Sequence, residues 1–306
     1  MSLPGVAAVA EGRVKHPLAS SLGASSEVVV SRTGHEPVVF GGELVPLIAG
    51  PCSVESEEQV LGTAQAVAAA GARLLRGGAY KPRTSPYSFQ GLGREGLELL
   101  ALAREATGLL VVTEALDPRD VELVARHADM VQVGTRNMSS FTLLQEVGSC
   151  GLPVLLKRGF SSTLEEWLLA AEYVLDAGCP GLVLCERGVR TFGDHARFVL
   201  DLNIIPAAQT LSHLPVMADP SHSTGRRDCV EPLARAAVAV GADAVMLEVH
   251  PRPEDALSDG AQALLPEDLT RLTGQLDAIA RSLGRRVLDG EPPVQPDPAR
   301  LGAARA

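Results

Sequence analysis

Aromatic residues are scarce in this chain: one Trp, three Tyr and six Phe among 306 residues. A chain of this length can bury a sizeable core, so Val, Leu, Ala and Ile have to fill it. Such aliphatic runs suit a parallel sheet covered on both faces. Positive charge is also in deficit. Lys and Arg number 27 against 37 Asp and Glu, a net charge of −10. That excludes a general nucleic-acid binder, which works by neutralising phosphates, but leaves room for a local basic pocket. Cysteines are few and odd in number, at 52, 150, 179, 185 and 229, with no spacing of a disulfide framework. They read as reduced thiols in the cytoplasm. No apolar run reaches the roughly 20 residues that span a bilayer, and Met1 to Glu11 has no charged segment followed by an apolar one, so no signal peptide is read.

What is present is 46% hydrophobic residues in a repeating order. Residues 1–25, rich in Ala, Gly and Ser, read as poorly ordered. Glu27 to Val30 and Pro37 to Phe40 flank a Thr33-Gly34 turn signal and predict a short β-hairpin. From Leu47 onward, eight short apolar runs alternate with stretches of helical period. The runs are Leu47–Ala49, Arg73–Arg76, Leu109–Thr113, Met130–Val133, Val154–Lys157, Leu182–Cys185, Val216–Ala218 and Ala244–Glu248. Asp117-Pro118 is a helix-start signal, and Gly71, Gly178 and Gly241 read as helix stops. The order predicts an α/β fold, a single (β/α)8 TIM barrel over residues 46–286, with an N-terminal extension (1–45) carrying the hairpin and a loose tail (287–306) rich in Pro and Ala. The runner-up, a doubly wound open sheet, calls for fewer strands and a glycine-rich first turn.

In such a barrel the active site lies at the C-terminal ends of the strands. Here strand after strand runs into chemically capable residues. One Lys or Arg after a strand is ordinarily a solvated side chain, but charges at the same end of strands two to eight point to one cavity. Arg76, Lys81, Arg83, Arg136, Lys157 and Arg187 form a cationic set suited to a multiply anionic ligand, with Thr84 and Ser85 as hydroxyl donors. The competing reading is a structural salt-bridge network with Glu95, Glu98 or Glu186. A second set, Cys52, His222, Glu248 and Asp259, offers S, N and O donors for one divalent cation such as Mn, Fe, Co or Zn. Taken singly, Cys52 reads as a small buried hydrophobe and Asp259 as a turn residue.

These residues sit in longer motifs: Ile48-Ala49-Gly50-Pro51-Cys52-Ser53, Arg76-Gly77-Gly78-Ala79-Tyr80-Lys81-Pro82-Arg83-Thr84-Ser85, Gln132-Val133-Gly134-Thr135-Arg136-Asn137-Met138, Cys185-Glu186-Arg187-Gly188, Asp219-Pro220-Ser221-His222 and Glu248-Val249-His250-Pro251. From about Leu47 to Leu283 the chain closely resembles the type I synthases of 3-deoxy-D-arabino-heptulosonate 7-phosphate (DAHP), most nearly the Iβ branch. The resemblance implies a transferase that condenses phosphoenolpyruvate with erythrose 4-phosphate at the entry to the shikimate pathway and aromatic amino acid biosynthesis. It implies that Cys52, His222, Glu248 and Asp259 bind the metal. It assigns Arg76, Lys81, Gly134, Thr135, Arg136, Lys157 and Arg187 to phosphoenolpyruvate, and Lys81, Pro82, Arg83, Thr84 and Ser85 to the aldose. Thr135 stands where the family often has Ala. Lys81 is the candidate for proton transfer, with His250 and Glu114 as residues that orient water.

The related synthase of 3-deoxy-octulosonate 8-phosphate typically reads Lys-Ala-Asn-Arg where this chain reads Lys81-Pro82-Arg83-Thr84. That loop favours the four-carbon aldose over arabinose 5-phosphate, the alternative substrate. A reading of another class, a non-catalytic barrel that binds phosphorylated ligands or regulates a partner, would show a lost metal ligand or anion clamp, and none is lost. The resemblance further implies a homo-oligomer, dimer or tetramer, and association with a chorismate mutase. About 45 residues precede the barrel, fewer than an independent regulatory domain takes, so built-in feedback inhibition is expected to be weak or absent.

Overall fold

The computed structural model describes residues 15–20, 25–83 and 85–289. Strands β1 (Val28–Val30) and β2 (Val38–Phe40) pair antiparallel as the predicted hairpin. Eight further strands follow: β3 (Leu47–Gly50), β4 (Leu74–Arg76), β5 (Leu110–Ala115), β6 (Met130–Val133), β7 (Val154–Lys157), β8 (Leu182–Glu186), β9 (Val216–Ala218) and β10 (Val245–Glu248). They close in sequence order, β10 returning to β3, with every neighbour parallel. The helices between them are α1 (Glu57–Ala69), α2 (Arg94–Thr107), α3 (Val121–His127), α4 (Phe141–Ser149), α5 (Leu164–Asp176), α6 (Ile204–Leu211), α7 (Pro220–Thr224) and α8 (Arg227–Ala239), and α9 (Pro266–Ser282) follows β10. The chain is therefore a (β/α)8 barrel.

Local chemistry sets these boundaries. The Ser56 hydroxyl caps α1, and Thr163 with Glu166 forms a capping box on α5. Asp117 accepts from the Arg119 amide to start a 3-10 turn at Pro118–Asp120, and α3 continues from it. Gly71, Gly178 and Gly241 take positive φ just past α1, α5 and α8, where a left-handed residue ends a helix at least cost.

The barrel has two apolar layers, separated by the period-2 alternation of each strand. Val154 and Leu156 of β7 pack outward under the helices, and Leu155 packs inward. The inner layer also holds Ile48, Leu74, Leu110, Val112, Met130, Val183, Cys185, Met217 and Met246. Val28, Val30, Val38 and Phe40 of the hairpin join that same inner cluster. The hairpin thus seals the end of the barrel opposite the strand C-termini. Two stretches assigned to loose ends by composition are packed. Ala19 is buried, with its amide and that of Leu18 bonded to Glu172 of α5. Val287 is buried, and its amide and that of Leu288 are accepted by Asp277 of α9. Residues 1–14, 21–24 and 290–306 of the predicted loose ends lie outside the described residues.

Candidate active site

The strand alternation that builds the inner layer also decides which polar residues face the barrel mouth. Continuing each inward parity by one step gives Arg76 on β4, Glu114 on β5, Gln132 on β6, Lys157 on β7, Asp219 after β9 and Glu248 on β10. Arg158 and Glu186 have the opposite parity, and they meet each other outside the barrel at 3.0 Å, with Asp201 as a further partner of Arg158. The salt-bridge reading thus holds for Glu186, but its partner is Arg158 and not one of the six mouth cations.

At the mouth, the ligand atoms of Cys52, His222, Glu248 and Asp259 all lie within 4.8 Å of one another. His222 Nε2 is 2.9 Å from Glu248 Oε1, and Cys52 Sγ is 3.2 Å from Asp259 Oδ2. The His222 ring is fixed from behind: Nδ1 is 2.7 Å from Asp219 Oδ2, which leaves Nε2 for the cluster. Asp219 also caps α7 through the His222 amide and receives Lys157 Nζ at 2.5 Å. Glu248 is fully buried and is held by Arg76 at 2.7 Å and Gln262 at 2.5 Å. Burial opposes charge on the imidazole, yet the carboxylates of Asp219 and Glu248 outweigh it and hold His222 up at about 9. Burial likewise opposes the Glu248 charge, and His222 and Arg76 still keep that carboxyl well below its usual range. A positive charge is therefore favoured where these carboxylates converge. One soft and three harder donors, with the imidazole oriented by a carboxylate, fit a borderline divalent cation. Asp259 is, among the described residues, the non-glycine with positive φ (51°). That backbone, costing about 1 kcal/mol, lies in the turn that places its carboxylate beside Cys52.

Beside this cluster lies a cavity open to solvent. Arg76, Lys81, Pro82, Arg83, Glu114, Gly134, Thr135, Arg136, Lys157 and Arg187 line it, together with Cys52, His222 and Asp259. Lys81 Nζ reaches Cys52 Sγ at 2.8 Å and the Cys52 carbonyl at 3.0 Å, so it sits at the seam between cluster and cavity. Glu114 accepts from Gln132 at 2.9 Å, and a Cβ on Gly134 would lie 2.0 Å from a Glu114 oxygen. Any other residue there would make that carboxylate shift. Arg76 and Lys157 already have carboxylate partners. Arg187 differs: its Nη1 is buried and has no hydrogen-bond partner.

The structure brings most of the predicted set together, with three exceptions. Ser85 is exposed and is not part of the cavity wall. Thr84 lies outside the described residues. His250 does not line the cavity either. Its Nδ1 accepts from the Arg252 amide and its Nε2 faces Glu55 at 3.5 Å. Glu55 in turn accepts from the Leu257 amide and from Ser53, so His250 belongs to the support of the turn that carries Asp259. Sequence reasoning passed over Asp219, Gln132 and Arg197. Strand parity would have found the first two. Arg197, which lines the cavity and lies 3.4 Å from Asp259, comes from a long loop with no such signal.

Residues 27–283 match the model of the DAHP synthetase I family. The chain belongs to that family. It is 52% identical over 250 residues to the phospho-2-dehydro-3-deoxyheptonate aldolase of Thermotoga maritima, a match covering 82% of this chain and 74% of the relative. A solved truncated form of 3-deoxy-D-arabino-heptulosonate 7-phosphate synthase from Thermotoga maritima superimposes with a TM-score of 0.81 at 44% identity, covering 89% of this chain and 99% of the other. Similarity to the 2-dehydro-3-deoxyphosphooctonate aldolase of Acidithiobacillus ferrooxidans is lower, 34% over 257 residues, or 77% of this chain and 90% of that one. As a DAHP synthetase I family member the chain is an enzyme. Among the described residues no helix is long and apolar enough to cross a membrane.

Proposed function

We propose that this enzyme condenses phosphoenolpyruvate with erythrose 4-phosphate and water to give DAHP and inorganic phosphate, the first step of the shikimate pathway. Membership of the DAHP synthetase I family supports the reaction class, and 52% identity to a heptonate aldolase against 34% to an octonate aldolase supports the shorter sugar. The observation that carries the reading is a cavity that joins a cation-binding site to an anion-binding one. The four-donor cluster is the first, and the second is a group of cations in which Arg187 is buried with no ion-pair partner among the described residues. A buried, unpaired guanidinium costs several kcal/mol, and an incoming anion offsets that cost.

Arg76, Lys81, Gly134, Thr135, Arg136, Lys157 and Arg187 hold phosphoenolpyruvate in this reading, and Lys81, Pro82 and Arg83 hold the aldose, with Arg83 toward its phosphate. Cys52, His222, Glu248 and Asp259 would hold a divalent cation, Mn, Fe, Co or Zn, which would supply Lewis acidity for the condensation. The methylene carbon of phosphoenolpyruvate forms the new bond to the aldehyde carbon, while Lys81, at the seam, donates a proton to the oxygen that gains charge. Water adds to the former enol carbon, and Glu114 is placed to orient it and take its proton. The hemiketal phosphate then collapses by carbon–oxygen cleavage. The cations align the two anions, so much of the rate gain is positional.

Phosphate release from both substrates tests this. Turnover is expected with erythrose 4-phosphate and to be at least tenfold weaker with arabinose 5-phosphate. It is expected to vanish with chelator and in a soluble, folded Cys52→Ala variant. Undiminished turnover in excess chelator would remove the metal, and a preference for the five-carbon sugar would overturn the assignment of the aldose.

A further inference from the structure

Cations gathered around one cavity repel each other, so each needs something to hold it. Carboxylates do this for Arg76 and Lys157. Arg187 makes no hydrogen bond or ion pair with the described residues, although it is 5% exposed. Its neighbours are rings. Phe160 and Phe198 stack with centroids 4.9 Å apart and planes 14° from parallel. The Arg187 guanidinium carbon lies 5.1 Å from the Phe160 centroid and 4.6 Å from that of Phe198. Arg136 lies over Phe160 at 5.4 Å and Arg197 over Phe198 at 5.5 Å.

The two rings come from loops after different strands, and the backbone pins both. The Arg190 amide donates to the Phe160 carbonyl at 2.7 Å, and the Phe198 amide to that of Ser223 at 2.8 Å. Val189 and Val199 close the loop between them with a pair of backbone bonds. Gly188, at φ +94°, has no Cβ where one would meet Phe198 Cβ at 2.8 Å.

We propose that the Phe160–Phe198 stack is the positioning element of the anion subsite, gripping Arg187 by its face and leaving its N–H groups free for a phosphate or carboxylate. A carboxylate partner would occupy those same donors and compete with the ligand. An aromatic face attracts the cation through its quadrupole and uses none of them. The proposal rests on the reading that this subsite takes phosphoenolpyruvate.

The test is calorimetric binding of phosphoenolpyruvate, and separately of inorganic phosphate, to the whole chain with the metal chelated. Wild type, Phe198→Leu, Phe198→Tyr and Phe160→Leu are compared, each first checked for a cooperative melt. Leu keeps the apolar volume and removes the quadrupole, and Tyr restores it. Both Leu variants are expected to bind about 5- to 20-fold more weakly, and Phe198→Tyr to stay within about threefold of wild type. In steady state the same variants are expected to raise KM for phosphoenolpyruvate more than they lower kcat. Leu variants that bind as tightly as wild type, or a Tyr variant as weak as Leu, would overturn the proposal. If the wild type binds phosphate but not phosphoenolpyruvate, the functional reading falls instead, and the Phe series on phosphate still decides the role of the stack.

Discussion

Lys157 and Arg158 are adjacent cations, and one of them serves the cavity. The Lys157 side chain continues the inward parity of β7 and meets Asp219, whereas Arg158 turns outward to Glu186. Arg187 and Glu186 divide in the same way on the next strand. A residue's role at this rim is thus decided by one step in a period of two. Arg83 lies in a loop, where no such parity applies. It lines the cavity, and among the described residues its side chain makes one bond, a long contact of 3.5 Å to the Leu257 carbonyl. It is therefore free to meet a second anion. Arg83→Ala is expected to raise KM for the aldose by roughly tenfold or more, with KM for phosphoenolpyruvate changed by less than about threefold. Steady-state kinetics with each substrate varied in turn measures this, and equal effects on both would move Arg83 out of the aldose subsite.

Among the elements, α9 shows how one buried carboxylate can extend a domain past its last helix. Asp277 is fully buried and accepts from the amides of Val287 and Leu288 and from Arg281. Burial pushes its carboxyl up, but the Leu288 amide, Arg281 and the Val287 amide together hold it below the ordinary range. A depressed carboxyl stabilises the fold above its unfolded pKa, about 3.9, and that contribution is lost as pH falls through the folded value. Asp277→Asn is expected to cost about 1–3 kcal/mol near neutral pH, with the gap to wild type shrinking as pH drops below about 4. Denaturant melts at a series of pH values would show this, and a gap that stays constant with pH would mean that the charge of Asp277 is irrelevant. Composition assigned 287–289 to a loose tail because the stretch 287–306, rich in Pro, Ala, Asp and Arg, carries no periodic signal. The amides that Asp277 accepts are ten and eleven residues away in the chain.

At the scale of the whole molecule the barrel is polarised. Its C-terminal rim carries charge and its opposite end is closed by the β1–β2 hairpin. Phe40 is fully buried in the inner cluster with Ile48 and Met246. Phe40→Ala is expected to cost about 3–5 kcal/mol, read from denaturant unfolding, and to leave both Michaelis constants within about twofold. A large change in either constant would mean that the plug and the rim are coupled.

The sequence by itself determined the eight-fold alternation, the order of the strands and the hairpin, and it singled out Cys52, His222, Glu248 and Asp259 as a candidate donor set. These follow from local periods, caps and the chemistry of residues at strand ends, all of which are readable along one dimension. Only the tertiary structure decided that Asp219 backs His222, that His250 turns away to Glu55, that Arg197 reaches Asp259, and that two phenylalanines grip Arg187. Those pairings join residues from different strands and loops, and their partners are chosen by the closure of the barrel and not by any spacing along the chain.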